Sequence, residues 1–532
     1  MEPSRTREVY IRLIYYLQKH SIITTSPLAN FPHIIYLGDS NLFYRLTESN
    51  MRGKDMPART GSQYIDRINK LKSEVWLDGK RVTGNISEHP AFKGIIESQA
   101  RLYDLQNDKE LKSLMTYTSP TTGNPVGRSF IMPKTKEDLE MKRKMVQQWA
   151  RESNGMMGRS PDYMNTTLMT MAASTHLLEE QENCFPENIK AYYEYVREND
   201  LCLTHTFIEP QVDRSYIYYE NSKEPIATKI VERTKEGLIV KGARLLATQG
   251  GITDEMLLVS PGRPYNEESG FAFSIPSNTK GLKFICRESF VGGDSKFNYP
   301  LSSRFEEMDS IVVFDNVLVP WDRVFFYDNI DVAQNYLDKS GFQPFSLHQV
   351  LSRQIVKTEF MLGIVQSIID SINISSYQHV QEKATEIIVA LETLKALVLK
   401  SEVEANVNDA GLMQPNSIAL RIAINVFPKV YPRFAEIVQQ LGASGLMSIP
   451  TENAFQSPIK EDIHQYLQSA ADNAEDRVKL FRLAWDATMS TFGTRQTLYE
   501  RFFFGDPVRI SMALYDEYDK KPYVDIVKKK LE

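Results

Sequence analysis

Cysteine is scarce in this chain: Cys184, Cys202 and Cys286 are the only three among 532 residues. Their wide separation excludes a disulfide framework and a CxxC metal site, and points to a reducing, cytoplasmic setting. The eight histidines stand singly, with no HExxH and no pair three to five residues apart, so no metal is expected. GxGxxG and GxxxxGK[ST] are both missing, which removes the phosphate-binding turns of the Rossmann and P-loop folds. A net charge of -6 with both signs interspersed leaves no basic stripe, so nucleic acid is not an expected partner. Long hydrophobic runs are absent too. The stretch "VYIRLIYYL" is short, carries Arg12 and has no small-residue cleavage site after it, so neither export nor membrane insertion is expected.

What is present fits a multidomain globular protein, with 42% hydrophobic and 24% charged residues. Residues 1–55 are compositionally loose, and Met56 would itself be a natural beginning. From 56 to 200 the chain reads as helical, apart from "SEVWLDGKRVTG", whose Asp-Gly marks a hairpin. Thr135 with Asp138 resembles a capping box, and Met141, Met145 and Trp149 share a core-facing stripe. Strand-like runs between Gly, Pro and Asn punctuation, such as "GLIVKGARLLAT" and "GFAFSIP", define a β domain over 201–330. Helical periodicity then occupies 331–532. Val380, Ala384, Ile387, Ile388, Leu391, Leu394 and Val398 form a wide apolar stripe suited to a bundle, and "EDRVKLFRLAWDATMSTFG" is a further helical segment. The fold class is thus α+β, mainly α.

The stretch "NGMMGRSPDYMN" carries the first chemical signal. Ser160 has an N-cap side chain, Pro161 fits the first helical position, and Asp162 complements the helix dipole. Arg159 and Tyr163 then flank a helix N-terminus that offers free N–H donors to an anionic oxygen. On its own, an Arg159 paired with a carboxylate and a Tyr163 covering a core edge is the blander alternative. The lone His205 in "LCLTHTFIEPQVDR" lies where helices give way to strands, a junction where ligand clefts are frequent.

Together with "GMMGRSPDYMN" and "LTHTFIEPQVDR", the runs "VGGDSKFNYPLSSRFEEMDSIVVFDNVLVPWDRVF", "LGASGLMSIP" and "LYERFFFGDPVR" resemble the oxygenase components of the 4-hydroxyphenylacetate 3-monooxygenase family, in order from Met56 to the C-terminus. The resemblance implies an acyl-CoA dehydrogenase-like fold: an N-terminal helical domain, a middle β-barrel domain and a C-terminal bundle that builds a homotetramer. It also implies ring hydroxylation of a para-substituted phenol with O2 and FADH2 through a flavin hydroperoxide. A separate NADH-dependent reductase provides the FADH2, by diffusion. Site residues follow from the same likeness. Arg159, Tyr163 and His205 surround the phenol oxygen as the catalytic trio, with Ser160, Pro161 and Asp162 beside them; His205 would accept a proton near neutral pH. FAD contacts are expected at His205, Thr206, Phe207, Gln211, Val212, Asp213, Arg214, Thr248, Phe504, Gly505, Asp506 and Pro507. Read locally, the Gly-Asp-Pro run is equally a helix stop. Pro261 and Gly262 depart from the pattern, standing where small polar residues would be easier to reconcile with a substrate's side chain. The competing readings are a 4-hydroxybutyryl-CoA dehydratase or acyl-CoA dehydrogenase on the same scaffold, and a flavin-free scaffold. Against the first stand three scattered cysteines, too few and too far apart for an iron-sulfur cluster.

Overall fold

Two capping boxes open helices in the first third of the chain: Thr60 with Gln63 starts Gly61–Leu71, and Thr135 with Asp138 starts Lys136–Glu152. A computed structural model of the protein describes residues 58–212, 225–259 and 269–532, all within the unit Pro57–Glu532. The expectations for residues 1–55, Asp213, Arg214, Pro261 and Gly262 lie outside the described residues.

Helices dominate up to Asn199, strands from Leu203 to Phe326, and helices again from Ile330 to Leu531. The strands form a six-stranded and a four-stranded sheet that share one apolar core, with Phe273 of the smaller sheet edge-on to Phe314 of the larger at 6.2 Å. An isolated bridge between Ile208 and Leu245 ties the two sheets together. The expected hairpin is present, with both Asp78 and Gly79 at positive φ. Its first strand, Val75–Leu77, also pairs in parallel with Leu282–Cys286 and so extends the larger sheet from within the helical region.

In the C-terminal half, Phe342–Ser371 is a 30-residue helix packed against Gln378–Val403, Ser417–Met447 and Ala474–Thr488. It is buried all round from Pro344 to Thr358, and polar side chains such as His348, Arg353 and Lys357 lie inside with the apolar ones. Three local expectations need correction. Ile388 is 45% exposed, whereas Ala390 is buried on the same helix, so the stripe is rotated there. The segment "EDRVKLFRLAWDATMSTFG" breaks after Thr488, because the Ser490 hydroxyl accepts from Gly493 N and starts a new helix, Thr491–Phe502. Ser160 stands at the N-cap but its side chain makes no capping bond; Tyr163 N donates instead to the Ser160 carbonyl at 3.1 Å. Gly505, at positive φ, and Asp506, whose carboxylate accepts from Val508 N, turn the chain into Pro507–Glu517, so the helix-stop reading holds.

Candidate active site

Strand alternation decides where His205 points. Leu203–Thr206 is an edge strand of the smaller sheet, paired in parallel with Glu255–Val259. Thr204 and Thr206 turn one way and donate their hydroxyls to the Thr248 and Leu245 carbonyls at 2.8 and 2.7 Å. With a period of two, Leu203 and His205 face the opposite side, where Tyr163 lies.

The helix Pro161–Ala173 supplies the other wall. Tyr163 occupies its third position and Arg159 precedes its cap, so the guanidinium folds back over the Tyr163 ring at 4.2 Å from the centroid. The Tyr163 ring in turn stands 5.6 Å from the His205 imidazole, which stacks on Phe207 at 4.1 Å with planes 5° apart. Phe342 meets Phe207 edge-on, and Phe503 lies 5.6 Å from the Arg159 guanidinium. A cation, a phenol and an imidazole are thus set side by side and framed by aromatic rings.

Unmet hydrogen-bonding capacity collects here. His205 is 8% exposed, yet among the described residues neither ring nitrogen has a hydrogen-bond partner, and Arg159 Nε is likewise buried and unpaired. Each such orphan costs about 1–3 kcal/mol, so three together are the mark of a surface kept for a ligand. Burial first, and the Arg159 charge second, push the His205 pKa well below its ordinary value. The imidazole is therefore neutral around pH 7, the form that can accept a proton. An unfolded chain takes up this proton near pH 6.5 and the folded one does not. The stability this contributes is complete above that pH and is lost as pH falls from there towards the depressed folded value. Thermal melts from pH 8 to 5 should show less acid loss in His205→Gln than in the parent; equal slopes would contradict a neutral His205.

Arg159 keeps its charge. Burial opposes it, but Tyr499, Tyr163 and Glu307 outweigh that effect and hold its pKa above the ordinary value. Sequence reasoning passed over the groups that hold this residue in place. The Glu307 carboxylate accepts from Gly158 N and Arg159 N, each at 2.7 Å, and from Gln249 Nε2 at 3.0 Å. Tyr499 accepts from Arg159 Nη1. Both lie in quoted stretches, "SSRFEEMDS" and "LYERFFFGDPVR", and an acidic doublet entering a strand was the available signal for Glu307.

The remaining candidates divide. Asp162 is fully buried and accepts from Gln349 Nε2 at 2.8 Å, while Pro161 is buried at the first helical position. Both serve the packing of the helix start. Thr248 donates its hydroxyl to Asp309 at 2.8 Å, so its hydroxyl, like that of Thr206, keeps only accepting capacity. Gln211 and Val212 are exposed. The turn Phe504–Pro507 follows Phe503, and a Cβ at Gly505 would meet nothing within 4 Å, so this turn is open. His205, Phe207 and that open turn therefore fit a large planar cofactor with a polar tail. Thr206 and Thr248 could reach one only by accepting a hydrogen bond or through their backbone.

Comparison with known proteins decides the family: the 4-hydroxyphenylacetate 3-hydroxylase N-terminal family matches residues 60–326 and its C-terminal counterpart residues 333–532. The chain belongs to the 4-hydroxyphenylacetate 3-hydroxylase family. A probable 4-hydroxyphenylacetate 3-monooxygenase of Bacillus subtilis is 57% identical over 469 residues, covering 88% of this chain and 97% of that protein. A crystal structure of the oxygenase component of 4-hydroxyphenylacetate 3-monooxygenase, complexed with FAD and 4-hydroxyphenylacetate, superposes with a TM-score of 0.85 at 43% identity, covering 89% of this chain and 98% of that one. An archaeal 4-hydroxybutyryl-CoA dehydratase from N. maritimus shares the fold alone, with a TM-score of 0.80 at 18% identity over 89% of this chain and 95% of that one. The chain thus has the fold of the hydroxylase structure, with helical, β and helical parts in the order expected from the sequence.

Proposed function

We propose that this chain is the oxygenase component of a two-component monooxygenase that converts 4-hydroxyphenylacetate into 3,4-dihydroxyphenylacetate with FADH2 and O2. The observation that carries the reading is the unpartnered His205 imidazole set beside Tyr163 and the charged Arg159 edge, in a family member whose relatives bear that activity in their names. Bound reduced FAD supplies the activated oxygen; everything else falls to the protein.

Arg159 binds the phenol oxygen, lowers its pKa and so makes the ring more electron-rich at its ortho carbon. Tyr163 adds a hydroxyl to the same oxygen. His205, neutral in the free protein, accepts the phenol proton on the ring nitrogen that faces it; the phenolate left behind favours the resulting imidazolium. Phe207, Phe342 and Phe503 exclude water, which keeps activated oxygen for the ring. His205, Phe207 and the Phe504–Pro507 turn would hold the cofactor, together with Gln211, Val212, Thr206 and Thr248.

The reduced flavin comes from a separate NADH-dependent reductase by diffusion. A homotetramer is supported by apolar side chains left uncovered on the last two helices, among them Val508, Met512, Tyr515 and Ile526, each more than half exposed. Sedimentation at about four times the 61.0 kDa chain mass tests it. Free Cys184, Cys202 and Cys286 accord with a cytoplasmic enzyme, and no described helix is long and apolar enough to cross a membrane.

The test is direct: titrate reduced FAD anaerobically, admit O2 with 4-hydroxyphenylacetate and then with phenols altered only at the para position, and quantify catechol against hydrogen peroxide. Catechol is expected. Peroxide alone with every phenol would overturn the reading.

A further inference from the structure

The Arg159 guanidinium has five N–H donors, and the two hydrogen bonds it makes to the described residues both leave from Nη1. One goes to the Gly158 carbonyl at 3.2 Å; the other goes to the Tyr499 hydroxyl. The Tyr499 hydroxyl itself donates to the same Gly158 carbonyl, also at 3.2 Å. Carbonyl, hydroxyl and Nη1 close a small triangle that saturates one corner of the fork. Nε, buried and unpaired, lies on the opposite edge.

We infer that Tyr499 is a positioning residue, whose hydroxyl ties down Nη1 so that the Nε edge of Arg159 is presented to the phenol oxygen of the substrate. The inference rests on the proposed phenol site and deepens it. Glu307 fixes the backbone of Arg159, yet a backbone anchor leaves the long side chain free to rotate; the Tyr499 hydroxyl supplies the missing second point. Tyr499 is itself held. Its ring stacks on Phe503 at 5.1 Å, and the Arg159, Arg353 and Arg495 guanidinium carbons lie 5.4, 5.7 and 5.6 Å from its centroid. Burial first raises its pKa, and although Arg159 and Arg353 pull the other way, the phenol remains protonated and able to donate to Gly158. The glycine is part of the device: a Cβ on Gly158 would stand 2.4 Å from Tyr499 Cζ and Oη.

4-Nitrophenol is a suitable probe because its phenolate is coloured, so its ionisation in the site reads how well Arg159 is aimed. With the full chain and reduced FAD under anaerobic conditions, the parent should hold the bound probe as phenolate at pH values where the free probe is neutral. Tyr499→Phe removes one oxygen and keeps the ring stack. It should raise the apparent pKa of the bound probe by about one unit, a tenfold loss of phenolate preference, and lower coupled hydroxylation by a similar factor with an unchanged melting temperature. Gly158→Ala reaches the same bond from the other side and should shift the probe in the same direction. If Tyr499→Phe ionises the probe like the parent while Arg159→Gln does not, Tyr499 has no positioning role and the inference fails alone. If the parent itself does not ionise the probe, the phenol site fails and takes the inference with it.

Discussion

Replacing Arg159 by alanine is expected to lower coupled hydroxylation about 1000-fold while changing the affinity for reduced FAD by less than about threefold. The size follows from where the charge sits. The guanidinium is packed against the rings of Tyr163, Tyr499 and Phe503, and water competes poorly for it there. A fixed donor in such a place is worth about 3–4 kcal/mol to a developing anion. Without it the bound phenol stays neutral and its ring is a poorer nucleophile, so reducing equivalents leave as hydrogen peroxide. The split between catechol and peroxide, measured with any NADH-driven flavin reductase, therefore reads the effect better than oxygen uptake does. Arg159→Lys should recover part of the loss, since a lysine restores a charge without the planar edge. Coupled catechol formation at the parental rate in Arg159→Ala would remove this residue from the chemistry.

How far such a site can be read without coordinates depends on the range of the interactions. The strand "GLIVKGARLLAT" emerged as Gly237–Thr248 because local alternation and flanking turns define it. The parallel pairing of Val75–Leu77 with Leu282–Cys286 has no local signature, and the hairpin read as an isolated unit until the sheet claimed it. Within the site, Arg159 and Tyr163 are four residues apart on one helix start, so their meeting was legible; His205 entered through a junction of textures and through family likeness. Tyr499 and Glu500 were not legible as site residues, because each draws its meaning from partners far along the chain. Glu500 is the plainest case. On its helix it looks like an ordinary acidic residue between Tyr499 and Arg501, and only the fold places it against Arg353, 147 positions earlier. The neutral state of His205 was hidden for the same reason, since burial and a nearby charge are properties of the packed site.

That buried acid leads to the largest expected effect on stability. Glu500 is fully buried and accepts from Arg353 Nη1 and Nη2 at 2.6 and 3.1 Å, from Lys357 Nζ at 2.8 Å and from Gln354 Nε2 at 3.2 Å. Arg353 also donates to the Gly155 carbonyl, and Lys357 to Gln496, which in turn donates to the Met156 carbonyl. The carboxylate thus pairs with two buried cations while their outer hydrogen bonds pin the loop that leads into Arg159. Burial would raise the Glu500 pKa, but Arg353 and Lys357 outweigh it and hold the carboxyl below its ordinary range. Its stabilisation is therefore present above the unfolded carboxylate pKa and is lost as pH falls through the depressed folded value. Glu500→Gln keeps the shape but leaves two cations facing each other, which costs about 3–5 kcal/mol in a buried network. The first thermal transition should drop by about 5–10 °C at pH 7, and the gap to the parent should narrow on acidification, because only the parent has this carboxylate to protonate. Adding Lys357→Met should restore part of the loss, since one unpaired cation is then replaced by an apolar chain of similar length. A Glu500→Gln protein that melts with the parent would show that the two cations find other compensation, and the loop before Arg159 would need a different anchor.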